Sequence, residues 1–465
     1  MTNGLTIPKG EFLGHPTGLF LLFGTEMWER FSYYGMRALL VLSMVAATNG
    51  ANPGFGWSGA AALKLYAWYT GLVYFTPLLG GYLADNYLGQ RKSVILGGLI
   101  MSGGQFTLAA GIAGDITIFY AGLALLIIGN GLFKPNIATM VGDLYPEGDA
   151  RRDAAFTIFY MGINLGAFIA PFICSTLGED PRFGWKFGYF SAGCGMLLSV
   201  LIQVFLSQRF LGDVGRIPAA LRCKAEAGGG KTPLTKDERD RLKVIFMLFV
   251  FVVLFWAAFE QAGGLMNLYA SDQTDRMLGT FEVPAGWFQS LNPLFIVVLA
   301  PLFGTLWVRL ANGGKSMPTP IKMMSGLLLT GCGFLFMVAA VYSQGTRGKA
   351  GMVWLVLAYL FHTLGELCIS PVGLSMVTKL APLRLASLMM GVWFLINFVA
   401  NLLAGYIGAY AEKAGALTIF SSLAATLAFF AFVLWFLSGT LVDWMHGAEN
   451  VKQRPLLRAE PGRVA

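Results

Sequence analysis

Apolar residues recur along this chain in long runs separated by short polar breaks, a period far longer than that of a surface helix or strand. A helix that crosses a bilayer needs about 20 mostly apolar residues. Runs of that kind fall at 17–45, 60–83, 93–113, 116–138, 154–176, 187–208, 243–269, 286–309, 321–342, 352–378, 387–411 and 418–442. The pattern predicts an all-α integral membrane protein with twelve transmembrane helices. The first run is too long and too charged for a cleavable signal and no small-residue cleavage site follows it, so it is expected to stay.

Composition agrees with a bilayer as solvent. Of 465 residues 56% are hydrophobic and 12% charged, against about one quarter charged in soluble domains, and the mean hydropathy is +0.63. The stretch 210–242, which includes GGGKTPLTKDERDR, is the one sizeable linker. It divides the chain into a six-helix bundle at 1–209, a cytoplasmic linker at 210–242, a second six-helix bundle at 243–445 and a tail at 446–465. Basic residues collect in this linker and in the breaks holding Arg91, Lys92, Arg151 and Arg152, whereas the alternate breaks carry Asp115, Asp272, Asp275 and Glu282. The positive-inside rule then puts both termini in the cytoplasm. The net charge of +8 is read as topology, with no nucleic-acid partner, because no basic patch is interleaved with aromatics. GGYLADNYLGQRKS at 80–93 is echoed weakly by FGTLWVRLANGGKS at 303–316, at the equivalent loop of each half, as internal repeats of a transporter would be.

The first run nevertheless carries Glu26, Glu29, Arg30 and Arg37. At about 100° per residue, Glu26, Glu29, Arg30, Tyr33, Tyr34 and Arg37 share an arc of roughly 140°. Met27, Phe31, Met36 and Leu40 lie mainly on other faces, expected to suit lipid. Each ion at a span centre costs about 2.5–3.5 kcal/mol, so the stripe must face a wet or paired interior. A purely structural Glu26–Arg30 pair at i,i+4 is the plain alternative. Two acids against two bases are neutral when ionised and gain charge on protonation, which suits a proton-coupled carrier. The other deep ions are Lys134, Glu260 and Glu366; Lys64 and Lys379 lie near span ends, within snorkelling reach of the interface.

Other chemistry is sparse. Cys174, Cys194, Cys223, Cys332 and Cys368 show no CxxC spacing and read as reduced, mostly buried residues. His362 and Glu366 lack a third ligand, so no metal is expected, and no HExxH, GxSxG or Walker pattern supports an enzyme. A channel filter would need a reentrant half-span, and none stands out. Pro135, Pro171, Pro293 and Pro371 fall inside spans and predict bends.

EMWER at 26–30 resembles the ExxER motif of the proton-dependent oligopeptide transporter family, part of the major facilitator superfamily. GGYLADNYLGQRK, GNGLFKPN at 129–136, FTIFYMGINLGAF at 156–168, FWAAFEQ, FQSLNPLF, GELCISPVGLS and GVWFLINF resemble further signatures of that family, in order along all twelve runs. The resemblance implies a major facilitator fold and a bacterial inner-membrane symporter of di- and tripeptides. It would be monomeric, the default for this architecture, with no cofactor and the proton as coupling ion. It implies that Arg30, Lys134 and Tyr34 hold the peptide carboxylate, and that Glu366, Asn164 and Asn292 hold its ammonium. Tyr33, Tyr74, Trp256, Trp393 and Asn397 would line side-chain pockets. Arg37–Glu260 would gate the extracellular side and Lys134–Glu366 the cytoplasmic side, with Glu26, Glu29 and Glu260 handling the proton alongside Arg30. On residue type alone the aromatics equally suit packing and the asparagines equally suit interhelical hydrogen bonds. Asp85, with Gly89 and Arg91, is expected to fix a cytoplasmic loop to a helix end. Two departures stand out: no histidine between 60 and 83, where animal members have one, and a linker too short for the two extra helices of many bacterial relatives. Within carriers the rival is a relative moving nitrate or another anion, which fits less well a chain that keeps both ExxER and the acid at 366.

Overall fold

The computed structural model describes residues 10–112, 114–146, 149, 151–218, 234–313, 317–344, 348–382 and 385–448. Linker residues 219–233 with Cys223, residues 314–316 of the repeat echo and the tail beyond residue 448 lie outside them. The first half holds α1 (Thr17–Val45), α2 (Gly59–Leu83), α3 (Gln90–Gly111), α4 (Ile116–Asp143), α5 (Arg151–Glu179) and α6 (Trp185–Leu211). The second half holds α7 (Lys236–Phe259), the short α8 (Leu265–Asp272), α9 (Leu291–Asn312), α10 (Thr319–Ser343), α11 (Met352–Leu380), α12 (Ala386–Ala414) and α13 (Ala416–Trp444). Among the described residues, strand pairing is confined to three two-residue ladders in the loops.

Among the described residues, ten helical stretches are long and apolar enough to cross a membrane. The two long helices outside that set are α1, which bears the four ions, and α2, whose apolar content is diluted by glycine and tyrosine. Large side chains such as Phe205, Leu302, Phe432 and Phe436 point outward and are well exposed. So much outward apolar surface on long helices fits lipid rather than water.

The sequence-based picture of α1 needs correction. Its apolar faces do not meet lipid: Leu22, Met36, Leu39, Leu40 and Met44 are fully buried, because α1 packs between α5 and α6. A helix apolar all round belongs in a core. Lys64 and Lys379, by contrast, are exposed near helix ends as expected.

The run expected at 243–269 is not one helix. It breaks into α7, a 3-10 turn at Glu260–Ala262 and α8. A Cβ on Gly263 would take the space of the Tyr66 hydroxyl and the Arg37 guanidinium, so glycine at the break leaves room for these two side-chain ends from α2 and α1. The run expected at 286–309 likewise begins as a 3-10 turn, Ala285–Ser290, before α9. Pro293 therefore sits in the first turn of α9, where its missing N–H costs little. It is not a mid-helix bend. Pro135, Pro171 and Pro371 do lie inside helices, as do Pro77 and Pro301.

Bonds between the halves cluster at the end opposite the basic loops, here called the outer end. There Ala60 N donates to Glu412 (2.6 Å), Asn267 Nδ2 to the Ala38 carbonyl (2.9 Å) and Trp287 Nε1 to Thr176 (3.0 Å). Nearer the middle, α2 lies against α12 with Ala67 beside Gly405, small residues that let two backbones approach. At the basic end each half ties to itself. Arg91 donates to the Gly212 and Val214 carbonyls at 2.6 and 3.0 Å, and Arg241 to the Met445 carbonyl at 3.2 Å. The expected loop-to-helix tie is thus made by Arg91, while Asp85 is exposed on the turn Ala84–Leu88.

Candidate functional site

The ionic stripe of α1 folds inward. Arg30 is 4% exposed and Glu29 1%. The Arg30 guanidinium grips Glu29 with two nitrogens, one of them Nη2 at 2.7 Å from Oε1, and reaches Glu26 Oε1 from Nε at 3.2 Å. Both the i,i+4 pair and the adjacent acid are therefore engaged, and Glu26 Oε2 has no partner among the described residues. The guanidinium also lies 5.1 Å from the Tyr33 ring centroid, a favourable place for a cation. Two turns further on, Arg37 Nη2 meets Glu260 Oε2 at 2.6 Å. That bond crosses from the first half to the second at the break after α7.

Beside this pair lies a cavity of about 210 Å³ between the halves. The first half contributes Tyr34, Arg37, Tyr74, Tyr160 and Asn164, and the second contributes Trp256, Glu260, Asn292, Tyr359 and Glu366. Asn292 Nδ2 donates to Glu366 Oε2 at 2.8 Å and to Thr363 Oγ1 at 3.0 Å, so one carboxylate is presented from the second half. Tyr74 lines the first-half wall, and the Lys134 ammonium rests 4.4 Å from the centroid of its ring. An acid on one side and a cation behind an aromatic on the other give the cavity an electrostatic direction.

Eight of the expected residues line this cavity: Tyr34, Arg37, Tyr74, Asn164, Trp256, Glu260, Asn292 and Glu366. Glu26, Glu29, Arg30, Tyr33 and Lys134 do not line it, although Arg30 and Lys134 stand against the rings of Tyr33 and Tyr74. Trp393 lies beside Phe249, ring centroids 6.0 Å apart, and over Gly373; Asn397 donates to the Trp393 carbonyl at 2.9 Å. Neither reaches the cavity in this conformation. The expected Lys134–Glu366 pair is not formed either, because Asn292 holds the carboxylate and Tyr74 the ammonium. Tyr160, Tyr359, Ser370 and Gln289 also line the cavity and were not anticipated. Their signal was helical spacing: Tyr160 is one turn before Asn164, and Tyr359 and Ser370 flank Glu366 on the same helix at whole-turn intervals.

A buried, charge-lined cavity between two packed groups of membrane helices defines a multi-pass membrane carrier. The PTR2 family, described as the POT family, matches residues 91–216 and 219–420, and the chain belongs to it. The chain is 37% identical over 480 residues to the peptide transporter YePEPT of Yersinia enterocolitica subsp. palearctica serotype O:3 (strain YE-P4), covering 89% of this chain and 91% of that one. It is 34% identical over 450 residues to a di-/tripeptide transporter of Lactococcus lactis subsp. cremoris, covering 85% and 89%. A crystal structure of a peptide transporter POT in complex with sulfate matches with a TM-score of 0.87 at 34% identity, covering 94% of this chain and 98% of that chain.

Proposed function

We propose that this chain is a proton-coupled symporter that carries di- and tripeptides into the cell by alternating access. Twelve spans would form two six-helix bundles joined by a cytoplasmic linker, with both termini cytoplasmic and the chain acting as a monomer in a bacterial inner membrane. The observation that carries the reading is the polarised cavity, with Glu366 on one wall, Lys134 behind Tyr74 on the other and the Arg37–Glu260 pair at its edge. A short peptide is a zwitterion with fixed ends. An acid and bases on opposite walls clamp those ends without reading side chains, and the space between them accepts many residues.

In this reading Glu366, steadied by Asn292 and joined by Asn164, receives the peptide ammonium. Lys134, Arg30 and Tyr34 receive its carboxylate, while Tyr33, Tyr74, Trp256, Trp393 and Asn397 bound the side chains. Arg37–Glu260 closes the extracellular side, and Lys134–Glu366 forms when the cytoplasmic side closes. Protonation of Glu260 releases Arg37; protonation of Glu29 or Glu26 releases Arg30. Each step removes one partner of a buried pair, a change worth about 3–5 kcal/mol when the other charge stays unpaired, so proton and peptide drive the same transition. No cofactor is required beyond the proton itself.

The test is uptake of labelled dialanine by purified protein in liposomes, with acid outside and negative potential inside. Uptake should collapse with a protonophore, and Glu29→Gln should lose gradient-driven accumulation while keeping peptide exchange. Folded protein that moves neither dipeptides nor tripeptides overturns the reading.

A further inference from the structure

At the outer mouth, away from the cavity, the last residue of α5 reaches across to the second half. Glu179 accepts Ala285 N–H at 2.7 Å and Gly286 N–H at 2.9 Å. These are the first two amides of the 3-10 turn that runs into α9. A Cβ on Gly286 would run into Ser175 and Ala38, so the turn is pressed onto α5 and α1 as closely as a backbone permits. The tie joins α5, which carries Tyr160 and Asn164, to the 3-10 turn and α9, which carry Gln289 and Asn292 into the cavity.

Glu179 also borders an outer crevice of about 240 Å³ shared with Thr176, Asp180, Arg276, Glu282 and Pro284. The charged groups around it are few. Arg276 lies 3.8 Å from Glu179 and 2.8 Å from Glu282; on its own side Asp180 is engaged by Arg182 at 2.6 Å. The 3-10 turn itself brings no ionic side chain. One carboxylate is thus bonded on two N–H donors across the seam, beside a crevice that admits water from outside.

We propose that Glu179 is a positioning residue that latches the extracellular gate through the Ala285–Gly286 amides, and that a proton taken from the outer crevice unlatches it. This rests on the symport reading and adds to it a proton-responsive group separate from Glu26, Glu29 and Glu260. A carboxylate accepts both amide hydrogens; once protonated it loses charge and exposes a donor to two donors. Acid outside then favours the outward-open state before the Arg37–Glu260 pair is reached.

The test is the distance between spin labels at Ala51→Cys and Lys349→Cys, exposed outer positions on the two halves, with the five native cysteines replaced by alanine. Double electron–electron resonance is recorded without peptide between pH 7.5 and 5. The parent protein should gain a longer-distance population as pH falls. Glu179→Gln should show it already at pH 7.5, with its pH response reduced to what Glu260→Gln removes separately. Glu179→Asp, which keeps the charge but withdraws it by one methylene, should open at a higher pH than the parent and serves if the amide variant does not fold. Parent-like distances and pH response in the folded variants overturn the proposal. Because peptide is absent, that outcome leaves the substrate reading standing, and failed dialanine uptake leaves the latch result interpretable.

Discussion

At the residue scale the site depends on which charges have a protein partner. Glu366 is held by the neutral amide of Asn292, so its charge remains available for a cation. Glu366→Gln keeps the shape and the hydrogen-bonding size but removes that charge. Its loss is expected to raise the KM for dialanine by about tenfold or more, since 1.4 kcal/mol is one decade and charge-assisted bonds exceed that. N-acetyl-dialanine, which has no ammonium, separates this from general damage. The parent should discriminate strongly against it in competition assays, and Glu366→Gln should discriminate little; equal discrimination by both proteins would remove Glu366 from the ammonium site. Glu260 stands otherwise, because its partner Arg37 already satisfies it at 2.6 Å. Glu260→Gln should lose accumulation against a gradient yet retain peptide counterflow.

At the element scale the break after α7 sets where Arg37 can meet Glu260. Gly263 admits the Arg37 and Tyr66 side chains into the space a Cβ would fill. Gly263→Ala is therefore expected to cost about 1–3 kcal/mol through overpacking, read as a lower Tm in detergent, with uptake falling further than binding. Most helices were legible from the apolar runs, and their ends moved outward mainly because polar first and last turns extend past the hydrocarbon. The break itself was hidden, since the run around FWAAFEQAGG stays apolar enough to span. The full burial of α1 was also hidden. Its ionic stripe announced a polar interior, but Met36 and Leu40 look alike whether they face lipid or α5 and α6. For the site, Glu366 and Asn292 were legible as rare polar groups in apolar runs. The state of Lys134 and Glu366, partnered by Tyr74 and Asn292 instead of each other, depends on conformation, which a sequence does not fix.

Across the whole molecule, the bonds between halves gather at the outer end while the basic end ties each half to itself, so this conformation is closed outward. The intramembrane ionic groups in and around the cavity then set a charge balance for the carrier. Glu26, Glu29, Glu260 and Glu366 face Arg30, Arg37 and Lys134, leaving one uncompensated negative charge when all are ionised. Occluding net charge in hydrocarbon is costly, and a zwitterionic peptide adds none. One proton makes the loaded carrier neutral, and a second would charge it again. The expected coupling for dialanine is therefore one proton per peptide. It is checked by finding the proton-motive force at which net flux stops against a tenfold inward excess of peptide: about 59 mV for one proton and about 30 mV for two. A balance near 30 mV would mean that a carboxylate outside this set takes up a proton during transport, and Glu179 at the outer mouth would be the first to replace.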